Sequence, residues 1–434
     1  MKTHLVNSIL LLSVLMISSC TKNSGNNPTP AAPLPTVASL SPNSGIAGTT
    51  VTITGTNFSS TPSSNSVKFN GTAATVNSAT STTLVVVSPA GGSTGTVTVT
   101  TAAGTATGPI FTYTVAAATD VYIAGFEENS LTHPVAKIWK NGVATSLTDG
   151  SKDAVAYSVF VSGSDVYAAG YEWKTQAGPT NVLIAKYWKN GTATSLSDGT
   201  NEAYATSIFV SGSDVYVAGY ESNGTIYKAK YWKNGTAVLL GGANNSSYAN
   251  SIYVSGNDVY VAGSENSNGT TGIMHGKYWK NGVETIINQG STNALATSIF
   301  LSGADVYVAG YSESNNLTTS AYWKNGTPTS IGGGVSTLAN SIYVSGGDAY
   351  VAGTESNGTW GVAKYWKNGT ENVLTDGTKD AAAASIFVSG TDVYVAGYYN
   401  TTGLTYIAKY WKNGTAISLT DGNFNANALS IFVK

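Results

Sequence analysis

The sequence contains no arginine. All 21 basic residues are lysine, set against 23 acids, and only 10% of the 434 residues are charged. An average soluble protein is nearer to about 25% charged. A nucleic-acid binder needs a basic surface and usually arginine forks for phosphate and guanine, so that class is excluded. One cysteine, Cys20, cannot close a disulfide within the chain. Cysteine-built zinc or iron–sulfur sites fall with it, and three histidines (His4, His133, His275) make a histidine-rich metal site a poor fit. Acids are absent from the first 119 residues, where Lys2, Lys22 and Lys68 are the only charges, while eight of the 11 prolines precede residue 110. The composition changes near residue 118, which marks a domain boundary.

The amino terminus reads as an address and an anchor. Lys2 precedes a mostly apolar run, Leu5 to Ile17. That run is shorter than the roughly 20 residues a spanning helix needs, but it suits a signal-peptide core. It ends in Ile17-Ser18-Ser19-Cys20, which resembles the lipobox of bacterial lipoproteins. The resemblance implies a signal peptide over residues 1–19 and lipid attachment at Cys20. Buried methylenes, at about 0.8 kcal/mol each, would then hold the chain at a membrane without a spanning helix. Residues 20–35 form a polar, proline-rich tether. The expected location is the cell envelope, anchored to the outer membrane, with either face open.

Residues 36–114 alternate in the manner of short strands. Thr50-Val51-Thr52-Ile53-Thr54 and Thr96-Val97-Thr98-Val99 have period two, and glycines punctuate the turns. The stretch from Pro42 to Phe58, then Val67 to Ala74, then Val87-Ser88-Pro89 resembles the IPT/TIG family of immunoglobulin-like domains. The resemblance implies a small β-sandwich, which in secreted bacterial proteins usually serves as a spacer. Its one charge, Lys68, argues against acid–base chemistry there.

From Asp120 the chain repeats. D-V-Y-x-A-G begins at Asp120, Asp165, Asp214, Asp258, Asp305, Asp348 (with Ala349 for Val) and Asp392. Each copy is followed by W-K-N-G, at Trp139, Trp188, Trp232, Trp279, Trp323, Trp366 and Trp411. S-[IV]-[FY]-[VL] recurs from Ser158 to Ser430. One unit supplies four strands: Ser207 to Val210, Asp214 to Glu221, Ala229 to Lys233, and Thr236 to Leu240. Asn234-Gly235 is a hairpin turn that needs positive φ. Four antiparallel strands per unit specify a propeller blade. The chain enters at strand two and stops after strand one, so the terminal strand completes the first blade and leaves no open edge. The expected fold is all-β: a sandwich, then a seven-bladed propeller over 115–434, closed 3+1. The repeats resemble bacterial secreted propeller-repeat proteins, a family defined by fold rather than reaction. Strand one is expected innermost, its Ala-x-Ser start suiting an axis where only small side chains fit.

Repeated polar residues first suggest structure. Glu127, Glu172, Glu221, Glu265, Glu355 and, one residue later, Glu313 follow the D-V-Y glycine; Lys137, Lys186, Lys230, Lys277, Lys364 and Lys409 lie on strand three. They are expected to pair across strands and between blades, the alternative being an acidic cation ring. The D-V-Y aspartates are expected to bind turn backbone, and the seven tryptophans to pack blade on blade rather than stack sugars. Function should sit where the units differ, on the strand two–three loops, which share a face with the strand four–one connections. The candidates there are His133, Trp173, Tyr227, His275, Trp360 and Tyr406. Aromatics on rigidly held loops suit glycan stacking or protein contact.

The expected function is therefore non-enzymatic: a monomeric envelope lipoprotein displaying a propeller that binds a glycan or a protein or acts as a scaffold. No cofactor, metal or catalytic residue is expected. The alternative is a secreted polysaccharide hydrolase or lyase. Glycoside hydrolysis needs two carboxylates about 5–9 Å apart, and the acids outside the repeat frame (Glu128, Asp153, Glu202, Glu284, Glu371, Asp380) form no recognisable pair.

Overall fold

The computed structural model describes residues 31–115, 119–175, 181–269, 272–287, 292–314, 317–333, 335–401 and 405–434. The lipobox, Cys20 and the start of the tether lie outside them. The chain divides into two compact units between Ala118 and Thr119, and the described residues of both form strands, with one 3-10 turn among them at Pro62–Ser64.

In the N-terminal unit the strands run in the order Thr36–Ser41, Thr50–Thr56, Thr83–Val87, Thr72–Ala79, Ser66–Phe69, Gly95–Thr101, Gly104–Tyr113, with Ser44–Gly45 added at the end. Threonine alternates with valine or isoleucine, so each strand shows one face to water and one to a core. Val51, Ile53, Val67, Leu84, Val97 and Val99 fill that core. Phe69 and Phe111 meet edge to face at 5.1 Å inside it, while Lys68 stays exposed.

Seven separate four-stranded sheets follow, one per repeat. Blade three is representative: Ala203–Ser211, Asp214–Ser222, Tyr227–Lys233 and Thr236–Leu239 pair antiparallel in that order. Blade one takes its first strand, Ala426–Val433, from the carboxyl terminus and pairs it with Val121–Glu128. Asp120 and Lys434 exchange backbone hydrogen bonds of 2.8 and 2.9 Å at the seam, so the ring closes 3+1 as the repeat arithmetic requires.

Strand one begins earlier than the Ser-Ile-Phe-Val pattern suggests, because a β-bulge carries it through the Ala-x-Ser stretch. The repeated glycine faces that bulge. A Cβ on Gly219 would stand 1.9 Å from the carbonyl oxygen of Tyr204, so no other residue fits. Beside the bulge, each repeated serine accepts a backbone N–H from the next blade. Ser158 takes Ile208, Ser207 takes Ile252, and so on to Ser385 with Ile431 and Ser430 with Val159, at 3.1–3.4 Å. The circle of seven bonds is complete, which is why the serine recurs in every unit.

The axis differs from the sequence expectation. The alanines of Ala-x-Ser are fully buried between blades. The axis itself is ringed by the aromatic of Ser-Ile-Phe-Val: Phe160, Phe209, Tyr253, Phe300, Tyr343, Phe387 and Phe432. Neighbouring centroids stand 4.6–5.1 Å apart all the way round. Side chains alternate along a strand, so residues two apart from the bulged serine reach the axis while the alanine turns aside. The seven strand-three tryptophans are at most 8% exposed. They pack against the alanines and branched residues of the adjoining blade.

Candidate functional site

On the rim bearing the strand one–two and strand three–four turns, the strand three–four turn is the same in all seven blades. Asn234 and Gly235 take φ of +48° and +83°, and every other copy of the turn agrees within a few degrees. Asn234 Nδ2 donates to Asp214 Oδ1 at 2.8 Å, its Oδ1 accepts the Val215 N–H at 2.9 Å, and Lys233 Nζ bridges to Asp214 Oδ2. Lys233 also lies over the Tyr216 ring. The D-V-Y aspartate thus binds side chains of the K-N-G turn across the hairpin, rather than backbone of its own turn. Its lysine and asparagine hold its carboxyl below the usual aspartate value, and the aspartate raises the lysine in turn. All seven blades repeat the clamp.

The glutamate–lysine pairs lie within a blade, not between blades. Glu221 and Lys230 stand diagonally across one hairpin, two residues from the Gly219–Lys230 register pair, and therefore on the same face of the sheet. Glu127–Lys137, Glu172–Lys186, Glu265–Lys277 and Glu355–Lys364 repeat this. In blades four and six Glu284 and Glu371 join the lysine as a third member. Glu265 and Glu355 are about 95% buried. Burial alone would raise them, but the lysine and a backbone N–H from Gly242 or Gly333 outweigh it and hold both low. In blade seven Lys409 lies over the Tyr399 ring instead.

The opposite rim gathers the amino-terminal ends of strands one and three and the carboxyl end of strand two, with their variable loops. Here the sequence-based candidates stand on separate blades. His133 Nδ1 meets Asp153 Oδ1, and Trp173 donates its backbone N–H to the same residue's carbonyl, so those two share one anchor. Tyr227 donates its hydroxyl to Glu202 at 2.7 Å, and Tyr406 donates to Asp380 at 3.1 Å. His275 sits opposite Glu265 in the blade-four register, its buried Nδ1 without a partner. It lines an outer cavity of about 480 Å³ with Glu265, Lys277 and Trp279. Trp360 is 41% exposed at the tip of a turn held by Asn357. Among the described residues no ring contact joins any two of the six.

A different set does come together. Tyr157, Tyr171, Tyr204, Tyr220, Tyr227 and Tyr248 form a continuous belt across blades two, three and four, with neighbouring centroids 4.9–6.3 Å apart. Burial raises Tyr157 and Tyr220 and pushes Tyr204 up to about 12. Tyr227 is raised mainly because Glu202 accepts its proton bond. All four hydroxyls therefore stay protonated at neutral pH and act as donors with apolar ring faces, not as bases. Only Tyr227 was singled out from the sequence. Tyr171 and Tyr220 follow the repeated glycine directly, where they read as part of the frame. The available signal was that the same position carries Phe126, Ser264, Tyr311, Thr354 and Tyr398 in the other blades.

The acids outside the frame are engaged. Glu128 accepts Asn425, Asp153 holds His133, Glu202 holds Tyr227, and Asp380 takes the Gly361 N–H and Tyr406. The Asp-Gly aspartates cap their own turns, as Asp149 does with Ser151. Among the described residues no three histidine, cysteine or acidic side chains group as metal ligands would.

No curated protein sequence matches the chain. Similar solved structures include a structural genomics protein of unknown function from Bacteroides thetaiotaomicron VPI-5482. It is 13% identical, with 92% of this chain and 98% of that one covered, at a TM-score of 0.37. An auxiliary nutrient binding protein from the same organism is 11% identical over 88% of this chain and 85% of its own, at 0.27. Another, from Bacteroides ovatus ATCC 8483, is 12% identical over 91% and 90%, also at 0.27. Residues 35–115 match the family model of the IPT/TIG domain, so the chain carries an immunoglobulin-like IPT/TIG domain ahead of a seven-bladed β-propeller.

Proposed function

We propose that the protein is a non-enzymatic binding protein of the cell envelope, lipidated at Cys20, that captures glycan on the variable rim of its propeller. The tyrosine belt carries this reading. Six half-buried rings held by a rigid scaffold give apolar faces for sugar C–H groups at little entropic cost, and hydroxyls other than that of Tyr227, which is given to Glu202, can donate to the sugar oxygens. The engaged carboxylates support binding over hydrolysis: the acids outside the frame each hold a structural partner, which leaves no free pair to act as acid and base. The N-terminal domain serves as the spacer between tether and propeller.

The test is a glycan array probed with the full chain and with a Tyr204→Ala, Tyr227→Ala double variant. Retention of one or more neutral polysaccharides by the wild type, weakened about tenfold or more in the variant, is the expected result. Binding that ignores both substitutions would move the site off this rim. Release of reducing ends from any retained glycan would make the protein an enzyme.

A further inference from the structure

At the end of the tyrosine belt lies a cavity of about 560 Å³ lined by Tyr220, Tyr248, Ser264, Asn266, Leu295 and Glu313, within the range of about 300–1,000 Å³ typical of ligand pockets. Two departures from the repeat, at Ser264 and Glu313, coincide there beside Asn266. Ser264 replaces the aromatic that follows the glycine in blades one, two, three, five and seven, which leaves room beside Tyr220 and Tyr248. The hydroxyl of Ser264 is fully buried with no hydrogen-bond partner. Asn266, 8% exposed, makes no side-chain hydrogen bond among the described residues. The second departure is Glu313. The other units that keep this glutamate place it two residues after the glycine, on the lysine face, whereas Glu313 is three residues after Gly310. Strand side chains alternate, so this one-residue shift turns Glu313 to the opposite face, the face of Tyr311. Ala321 occupies the vacated lysine position. Every other acid of the chain has an ion pair or hydrogen bond; Glu313 has neither among the described residues.

We propose that this cavity is a subsite for one uncharged hexopyranose unit, with Glu313 accepting its hydroxyl protons. This rests on the glycan reading above. A sugar hydroxyl both donates and accepts, which matches the amide of Asn266 and the orphaned hydroxyl of Ser264. A carboxylate only accepts, and its bonds are stronger than neutral ones. Tyr220, Tyr248 and Leu295 offer apolar surface to the C–H face of the ring. An acidic sugar is disfavoured because no lysine among the described residues lines the cavity and Glu313 would repel it.

The experiment titrates the full chain by calorimetry with oligosaccharides of glucan, mannan and galactan, with chitosan oligosaccharides, and with polygalacturonate fragments. Wild type, Glu313→Ala and Ser264→Tyr are compared, Ser264→Tyr refilling the cavity with the residue other blades carry. Binding of a neutral oligosaccharide that falls about tenfold or more in both variants is expected. If Ser264→Tyr fails to fold, Glu313→Ala, an exposed change, decides the matter. Neutral binding unchanged in the variants but lost in Tyr204→Ala, Tyr227→Ala overturns this subsite and leaves the glycan reading intact. Binding confined to chitosan or to polygalacturonate overturns the uncharged class. No binding of any glycan removes both.

Discussion

The two rims of the propeller are built by opposite rules. On one, seven copies of a single clamp repeat with the same atoms and nearly the same angles. On the other, blades one to seven present in turn a His–Asp pair, a tryptophan, tyrosines, a serine-floored cavity, an unpaired glutamate, an exposed tryptophan and a Tyr–Asp pair. The ring needs each blade to end alike on the side where its hairpins are tied. It makes no such demand where loops of unequal length leave the sheets. Sameness therefore marks what the fold requires, and difference marks what is available for recognition.

That contrast can be broken from the frame side. Trp232→Ala, at 1% exposure, empties the interface between blades two and three and should cost about 3–5 kcal/mol, read as a lower midpoint in denaturant. A stability unchanged by more than about 0.5 kcal/mol would mean the tryptophans do not hold the blades together.

The clamps give an intermediate, pH-dependent effect. Their aspartates lie below the usual value because lysine and asparagine stabilise the charged form. A depressed folded-state value contributes stability above the unfolded value, here 3.8, that is lost as pH falls through the folded one. Melting temperature should stay level from pH 7 to about 5 and then fall below pH 4 as the clamps are protonated. A curve that stays flat to pH 2.5 would show that the clamps add nothing to stability. The exposed charges limit the size of each contribution.

The smallest stability effect belongs to the variable rim. Trp360→Ala, on an exposed tip, should move stability by no more than about 0.5 kcal/mol. A loss comparable to Trp232→Ala would place Trp360 in the frame and blur the distinction between the rims.

Much of the frame was legible in the chain. Asn-Gly demands positive φ, the D-V-Y and W-K-N-G markers count the blades, and a repeat array whose first unit lacks strand one, with a spare strand-one marker at Ser430, points to the closure that is seen. The buried tryptophans and the glutamate–lysine pairs were legible as types. Their neighbours were not, since a diagonal pair within a hairpin and a pair between blades read alike in sequence. The aromatic ring on the axis was missed because the small Ala-x-Ser residues look suited to crowding, while the bulge decides which side chain turns inward. Of the six aromatic and histidine candidates, Tyr227 alone joins the belt, because contacts between rings depend on blade-to-blade spacing.

The number of blades, their closure and the chemistry of the hairpin that each must make can be read along the chain, because they follow from local φ preferences and a repeating period. Tertiary structure alone decided that Tyr220, Tyr248, Ser264 and Glu313 border one cavity. Those residues come from three blades, and only curvature of the ring brings strand ends so far apart in sequence to the same mouth.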